Sequence, residues 1–172
     1  MVSDRTGTLG IMRWAMTDST VGDLGFAADD EGICAVRFGG VPDGVAVVVD
    51  DGLIAAARTQ LSEFFAGGRT EFTLPLSVRR GSPFERAVWD QIATIGYGDT
   101  RAYGKIAAAV GQPDAARAVG IACNRNPLPI LVPCHRVIGA DGKLVGFGGG
   151  LDRKRRLLDL EARVRLDNAD FW

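Results

Sequence analysis

What this chain has little of narrows its class first. Only three cysteines occur in 172 residues, an odd number at low density, which excludes the disulfide framework of a small secreted domain and points to a reducing, cytoplasmic setting. Three cysteines and a single histidine could match a zinc ligand set in number. However, no Cys-x2-4-Cys pair exists, and adjacent Cys134 and His135 are poorly placed to chelate one tetrahedral ion, so no metal is expected. No stretch approaches the roughly 18 apolar residues of a membrane span. Met1 to Thr20 carries Asp4, Arg5, Arg13 and Asp18 and lacks the apolar core of a secretion signal. Neither sign of charge dominates, with 20 basic against 21 acidic side chains. What remains, 47% hydrophobic and 24% charged, is the balance of a soluble globular protein. A core of this size buries roughly 70% of the unfolded surface without staples.

The near-neutral total hides an asymmetry. Residues 1–79 carry 6 basic and 11 acidic side chains, net −5, whereas residues 80–172 carry 14 basic and 10 acidic, net +4. Of the 20 basic residues 17 are arginine. An arginine-rich, basic half is the footprint of a surface that meets phosphates, although a solvated charged face has the same composition.

The first half reads as an antiparallel meander: Arg13 to Thr17, Leu24 to Ala28 and Ile33 to Phe38, separated by Gly22-Asp23 and by Asp29 to Gly32. A Val45 to Val49 run follows. Leu53 to Phe65 then places Leu53, Ala57, Leu61 and Phe64/Phe65 on one helical face and stops at Gly67-Gly68. Nothing in this half has convergent acid, base or nucleophile spacing, so it reads as a scaffold of residues 1–79. From Arg79-Arg80-Gly81 onward the pattern is helical. Ser82-Pro83-Phe84-Glu85 forms a capping box with proline at the first helical position, followed by Val88, Ile92 and Ile95. Tyr103 to Val110, stopped by Gly111, and Asp114 to Cys123, with Ala116, Val119, Gly120 and Cys123 inward, are two short helices around a tight turn, a helix-turn-helix candidate.

Chemistry concentrates at Pro133-Cys134-His135-Arg136, which reads as a strand end after Ile130-Leu131-Val132. Cys34 and Cys123 lie in apolar patterns and read as small buried hydrophobes. Cys134 differs, because the only histidine is its neighbour and Arg136 adds positive charge that favours the thiolate. On an extended chain neighbouring side chains point apart, so a water is expected between sulfur and imidazole. In a last helix of about Arg153 to Val164, Glu161 shares a face with Leu157, Leu158 and Val164. A core-facing carboxylate needs a partner: His135, which would complete a Glu161–His135–water–Cys134 relay, or one of Arg153, Arg155, Arg156 and Arg165. Gly146-Phe147-Gly148-Gly149-Gly150, after an apparent strand Lys143 to Val145, lacks the last glycine of a dinucleotide fingerprint and any Gly-Lys-Ser/Thr. It reads as a pocket wall.

In order, Tyr103-Gly104, Arg117-Ala118-Val119-Gly120, Asn126-Pro127, Pro133-Cys134-His135-Arg136-Val137-Ile138, Gly148-Gly149-Gly150, Lys154, Leu157-Leu158 and Glu161 resemble the O6-alkylguanine-DNA alkyltransferase family, the methylated-DNA–protein-cysteine methyltransferases. The motif match covers about residues 82–161; the first half matches in layout only. The resemblance implies an α+β fold: a ribonuclease-H-like N-terminal domain of antiparallel sheet plus helix over residues 1–79, and a helical, helix-turn-helix domain of winged-helix type over residues 80–172. It implies a DNA-repair enzyme that moves the alkyl group of O6-alkylguanine in double-stranded DNA to Cys134, irreversibly and once per molecule. O4-alkylthymine is left open as a second substrate.

By the same resemblance His135 and Glu161 form the water-mediated relay and Asn126 orders the active-site turn. Tyr103 crowds the flipped nucleotide's phosphate and donates a proton to guanine. Arg117 fills the gap left by the flipped base, with Ala116 and Gly120 beside it on the DNA-facing helix. Val137, Phe147 and Gly148 form the guanine pocket. No cofactor, no membrane and a monomeric state are implied, with cooperative assembly on DNA left open. Gly96, Ala102 and Phe147 stand where the family usually has proline, serine and tyrosine, which bears on rate and substrate range. The competing reading is a module that recognises alkylated DNA without transfer; such proteins replace the acceptor cysteine, which is present here. A DNA-binding regulator or a Cys-His hydrolase would explain fewer of these residues.

Overall fold

A computed structural model describes residues 11–48 and 52–169. Three strands, β1 (Arg13–Thr17), β2 (Leu24–Ala28) and β3 (Ile33–Phe38), pair antiparallel in the order β1-β2-β3, as their alternation and turns predict. Both edges are partly covered. Val48 N–H donates to Trp14 O (2.8 Å) beside β1, and Ile33 exchanges hydrogen bonds with Pro75 O and Ser77 N–H (2.8 Å each) beside β3. The far end of β3 is taken by another element, since Val36 N–H donates to Pro127 O at 3.0 Å. Val49, the end of the Val45 to Val49 run, lies outside the described residues.

The sheet buries Phe26 and Leu24 against helix α1 (Gly52–Phe65). The buried face of α1 is Ile54, Ala57, Leu61 and Phe64, with Leu53 and Phe65 only half-buried, so the stripe is rotated by one residue from the predicted one. Gln60 is also buried and is satisfied by Thr73, whose Oγ1 and N–H meet its amide at 2.8 and 2.9 Å. Asp29 pins the turn before β3 by accepting from Glu31 N–H, Gly32 N–H and Ser77 Oγ.

Helix α2 (Pro83–Ile92) begins at the predicted capping box: Ser82 Oγ accepts from Glu85 N–H at 3.1 Å and Glu85 Oε1 accepts from Ser82 N–H at 3.2 Å. A two-residue β4 (Arg101–Ala102) leads into α3 (Tyr103–Ala109), and α4 runs Ala116–Asn124. The start of α4 is two residues later than its sequence suggests, because Asp114 and Ala115 belong to the turn. Val119, Ala122 and Cys123 are its buried residues; Ala116 and Gly120, expected inward, are half-buried. Trp89 of α2 ties the two helices by donating to Ala122 O at 2.8 Å, which satisfies a carbonyl near the end of α4.

Two expected strands are not strands. The residues before Cys134 are turns, and Cys134–Arg136 is a single 3-10 turn, because Pro129 and Pro133 cannot both serve a ladder. Lys143 to Val145 pairs with no strand; it is β5 (Val137–Ile138) that pairs, parallel to β4. The last helix, α5 (Leu151–Ala169), extends beyond the predicted span at both ends and buries Lys154, Leu157, Leu160, Glu161 and Val164. Leu158 is half-buried, and Leu160 takes the inward place expected of it.

Candidate active site

The loop joining α4 to the 3-10 turn is built around one amide. Asn126 Nδ2 donates to Val132 O (2.8 Å) and its Oδ1 accepts from Leu128 N–H (2.9 Å), so the side chain closes the loop from within. Inside it Ile130 is held at φ 74°, an unusual conformation for a β-branched residue that is maintained by its complete burial. Cys134 follows at the rim of a cavity of about 220 Å³, which Asn126, Pro129, Cys123, Phe147 and Gly148 also line. Phe147 and Gly148 thus lie on this cavity, whereas Val137 is fully buried and lies outside its lining.

Glu161 resolves its choice of partner in favour of His135, and adds another. His135 Nε2 and Glu161 Oε1 are 2.7 Å apart with both side chains fully buried. Arg136, expected to bias the thiol, instead grips the same carboxylate through Nε (2.9 Å to Oε2) and Nη2 (2.7 Å to Oε1). Its Nη1 donates to Ile95 O at 2.7 Å, and Gly98 N–H donates to Glu161 Oε2 at 3.1 Å. Three arginines of α5 are engaged elsewhere: Arg153 on Val21 O and Gly149 O, Arg156 on Asp152, Arg165 on Asp99. Burial alone would raise the Glu161 pKa, yet the hydrogen bonds and charges of His135 and Arg136 hold it at about 2.

An ionised carboxylate only accepts, so the His135 proton sits on Nε2 and Nδ1 keeps its lone pair. Burial, the largest influence on His135, lowers its pKa in spite of Glu161, so the ring is neutral near pH 7. Its Nδ1 is buried and makes no hydrogen bond within the described residues. That leaves a neutral base beside a thiol. Burial pushes Cys134 up to about 11, opposed by the Asn126 side chain and the Lys154 charge, so the resting sulfur is protonated and must lose its proton to react.

Lys154 is the residue the sequence reading left without a role. Its ammonium is fully buried and donates to Val137 O (2.5 Å) and Val145 O (3.0 Å), and it stands 3.4 Å from Tyr103 Oη. Tyr103 in turn donates to Val145 O at 2.7 Å, and burial raises it to about 12, so it keeps its proton. The clue was available: Lys154, Leu157, Glu161 and Val164 share one helical stripe, and a lysine on an apolar stripe needs acceptors. Replacing it by methionine takes the ammonium away from Val137 O, leaves Val145 O with the Tyr103 hydroxyl alone, and removes the charge that opposes the rise in the Cys134 pKa. For Lys154→Met we expect a loss of about 2 kcal/mol in urea melts and slower carboxamidomethylation of Cys134 at fixed pH. In the unmodified chain that labelling should rise about tenfold per pH unit through pH 7–9, as thiolate is released from a thiol of high pKa.

The remaining predicted residues lie on one face. Arg117 is exposed in the first turn of α4, and Gly120 faces the Tyr103 ring, where an added Cβ would sit 3.8 Å away. No group of three or more metal-ligating side chains occurs among the described residues.

Comparison with known proteins gives matches in chain order. Residues 12–78 match the family model "6-O-methylguanine DNA methyltransferase, ribonuclease-like domain", and residues 83–163 match its "DNA binding domain". The methylated-DNA–protein-cysteine methyltransferase of Mycolicibacterium paratuberculosis is 60% identical over 109 residues, spanning 63% of this chain and 66% of that protein. The protein of that name in Methanosarcina acetivorans is 44% identical over 156 residues, 87% of this chain and 98% of its own. Among solved structures, Mycobacterium tuberculosis OGT in complex with DNA superposes with a TM-score of 0.80 at 45% identity, covering 88% of this chain and 94% of that one. Sequence and superposition agree over both halves of the fold, and the chain belongs to the 6-O-methylguanine DNA methyltransferase family.

Proposed function

We infer that this protein repairs DNA by moving the alkyl group of O6-alkylguanine onto its own Cys134. The observation that carries the reading is the arrangement around the sulfur: a protonated thiol on a cavity, followed in a single turn by a neutral imidazole whose Nε2 is committed to Glu161 and whose Nδ1 takes no partner among the described residues. A water on Nδ1 relays the Cys134 proton to His135. The thiolate then attacks the O6-bound carbon. The S–C bond forms, the C–O6 bond breaks with its electrons passing to guanine, and the base takes up a proton from Tyr103. The product thioether has no easy leaving path, so each molecule acts once.

The O6 atom lies inside the duplex, and reaching it requires flipping the nucleotide at a cost of a few kcal/mol. Exposed Arg117 on α4 fills the gap, α3 and α4 act as a helix-turn-helix with Ala116 and Gly120 on the approach, and Tyr103 abuts the flipped nucleotide. We place the working division at residues 1–79 and 80–172, with the second half on DNA. All three cysteines are unpaired, in keeping with a cytoplasmic site of action, and no described helix is long and apolar enough to cross a membrane. The protein acts as a monomer without a cofactor.

Intact-mass measurement with excess duplex bearing one O6-methylguanine tests this. A single methyl mapped to Cys134, with no further turnover, is expected. Tight binding with unmodified protein would replace the reading by damage recognition without repair.

A further inference from the structure

One wall of the acceptor cavity comes from the half of the chain that shows no convergent acid, base or nucleophile spacing. Phe38, the last residue of β3, lines it beside the loop that holds Phe147 and Gly148. The two rings meet edge-on, with centroids 5.6 Å apart and planes at 63°. Gly149 is gripped between them: a Cβ there would lie 2.8 Å from an atom of each ring, so only glycine fits. Arg153 of α5 fastens the assembly. Its guanidinium lies 5.3 Å from the Phe38 ring centroid, its Nη1 donates to Gly149 O at 3.1 Å, and its Nε donates to Val21 O at 3.0 Å, just before β2. Strand, loop and last helix are thus joined at one side of the space beside the sulfur.

We propose that Phe38, clamped by Arg153, is a specificity-determining wall of the pocket: its ring limits the size of the alkyl group that Cys134 can accept. The inference rests on the reading of Cys134 as alkyl acceptor. A cavity of about 220 Å³ must hold both base and alkyl group, and close-packed walls do not yield freely. Of the other lining residues, Pro129, Gly148 and Gly149 offer backbone or proline, which a side-chain change enlarges little. Phe38 stands on a hydrogen-bonded strand, so its ring is a fixed boundary rather than a mobile flap.

The test compares single-turnover transfer from duplexes bearing O6-methylguanine and O6-benzylguanine, using the whole chain. Phe38→Ala should raise the benzyl-to-methyl rate ratio about tenfold or more, the scale on which apolar pockets discriminate by size. Phe38→Trp should lower it, and Arg153→Met, which severs both carbonyl contacts, should raise it less than Phe38→Ala. Damage to the fold slows both substrates together and leaves the ratio alone, so the ratio reads the wall itself. A ratio unchanged in all three variants, with normal methyl transfer by the unmodified chain, overturns this inference alone. No transfer by the unmodified chain from either duplex overturns the acceptor reading and this inference with it.

Discussion

Cys134→Ala should abolish alkyl transfer while leaving affinity for the alkylated duplex nearly unchanged. The substitution removes one sulfur atom from a site whose remaining partners are untouched: Asn126 still closes its loop through Val132 O and Leu128 N–H, and His135 still meets Glu161. Losing one small buried group costs about 1 kcal/mol, too little to unfold the chain. No other group can take the alkyl chain by default. Cys123 lines the same cavity, but its thiol is raised chiefly by burial, which the substitution leaves in place. Gel-shift binding together with peptide mapping after incubation checks both halves; a methyl found on any residue of the Cys134→Ala protein would overturn the assignment of the acceptor.

Glu161→Gln should damage stability and chemistry together, for separable reasons. The carboxylate receives hydrogen bonds from His135, Arg136 and Gly98, and the amide would leave the Arg136 guanidinium buried without a counter-charge. Breaking a buried pair in this way costs about 3–5 kcal/mol. For a chain of this size that lowers Tm by roughly 10 °C. An amide can also donate to Nε2, which moves the imidazole proton to Nδ1 and removes the free lone pair there; we expect transfer to slow by about two to four orders of magnitude. The sign in acid follows from the depressed pKa. A carboxylate at about 2 when folded and 4.5 otherwise contributes stability that is complete above pH 4.5 and is lost as pH falls toward 2. That difference is worth about 3 kcal/mol. The unmodified protein should therefore lose stability over that window, and the variant should show a flatter acid limb in urea melts.

The parts of this molecule legible in the sequence are those set by neighbours along the chain. The bounds of β1, β2 and β3 follow from alternation and turn residues, and the start of α2 follows from Ser82, Pro83 and Glu85, all within four positions. Cys134 was recognisable because the only histidine is adjacent, and Glu161 because a carboxylate interrupts an apolar stripe. Two misreadings share one cause: Ile130-Leu131-Val132 and Lys143 to Val145 have strand composition, but a strand exists only where a second backbone offers a ladder, and composition carries no record of that partner.

By itself, then, the sequence determined the family, the α+β order of elements, the adjacent cysteine and histidine, and the need for a partner at Glu161. The tertiary structure decided who that partner is. Arg136 turns away from the thiol to the carboxylate 25 positions on, Lys154 reaches Tyr103 across 51 positions, and Phe38 reaches a cavity built mainly by the other half of the chain. Each of these pairings is fixed by where burial leaves a charge or ring in need of a partner, and that depends on which surfaces pack together rather than on any local pattern.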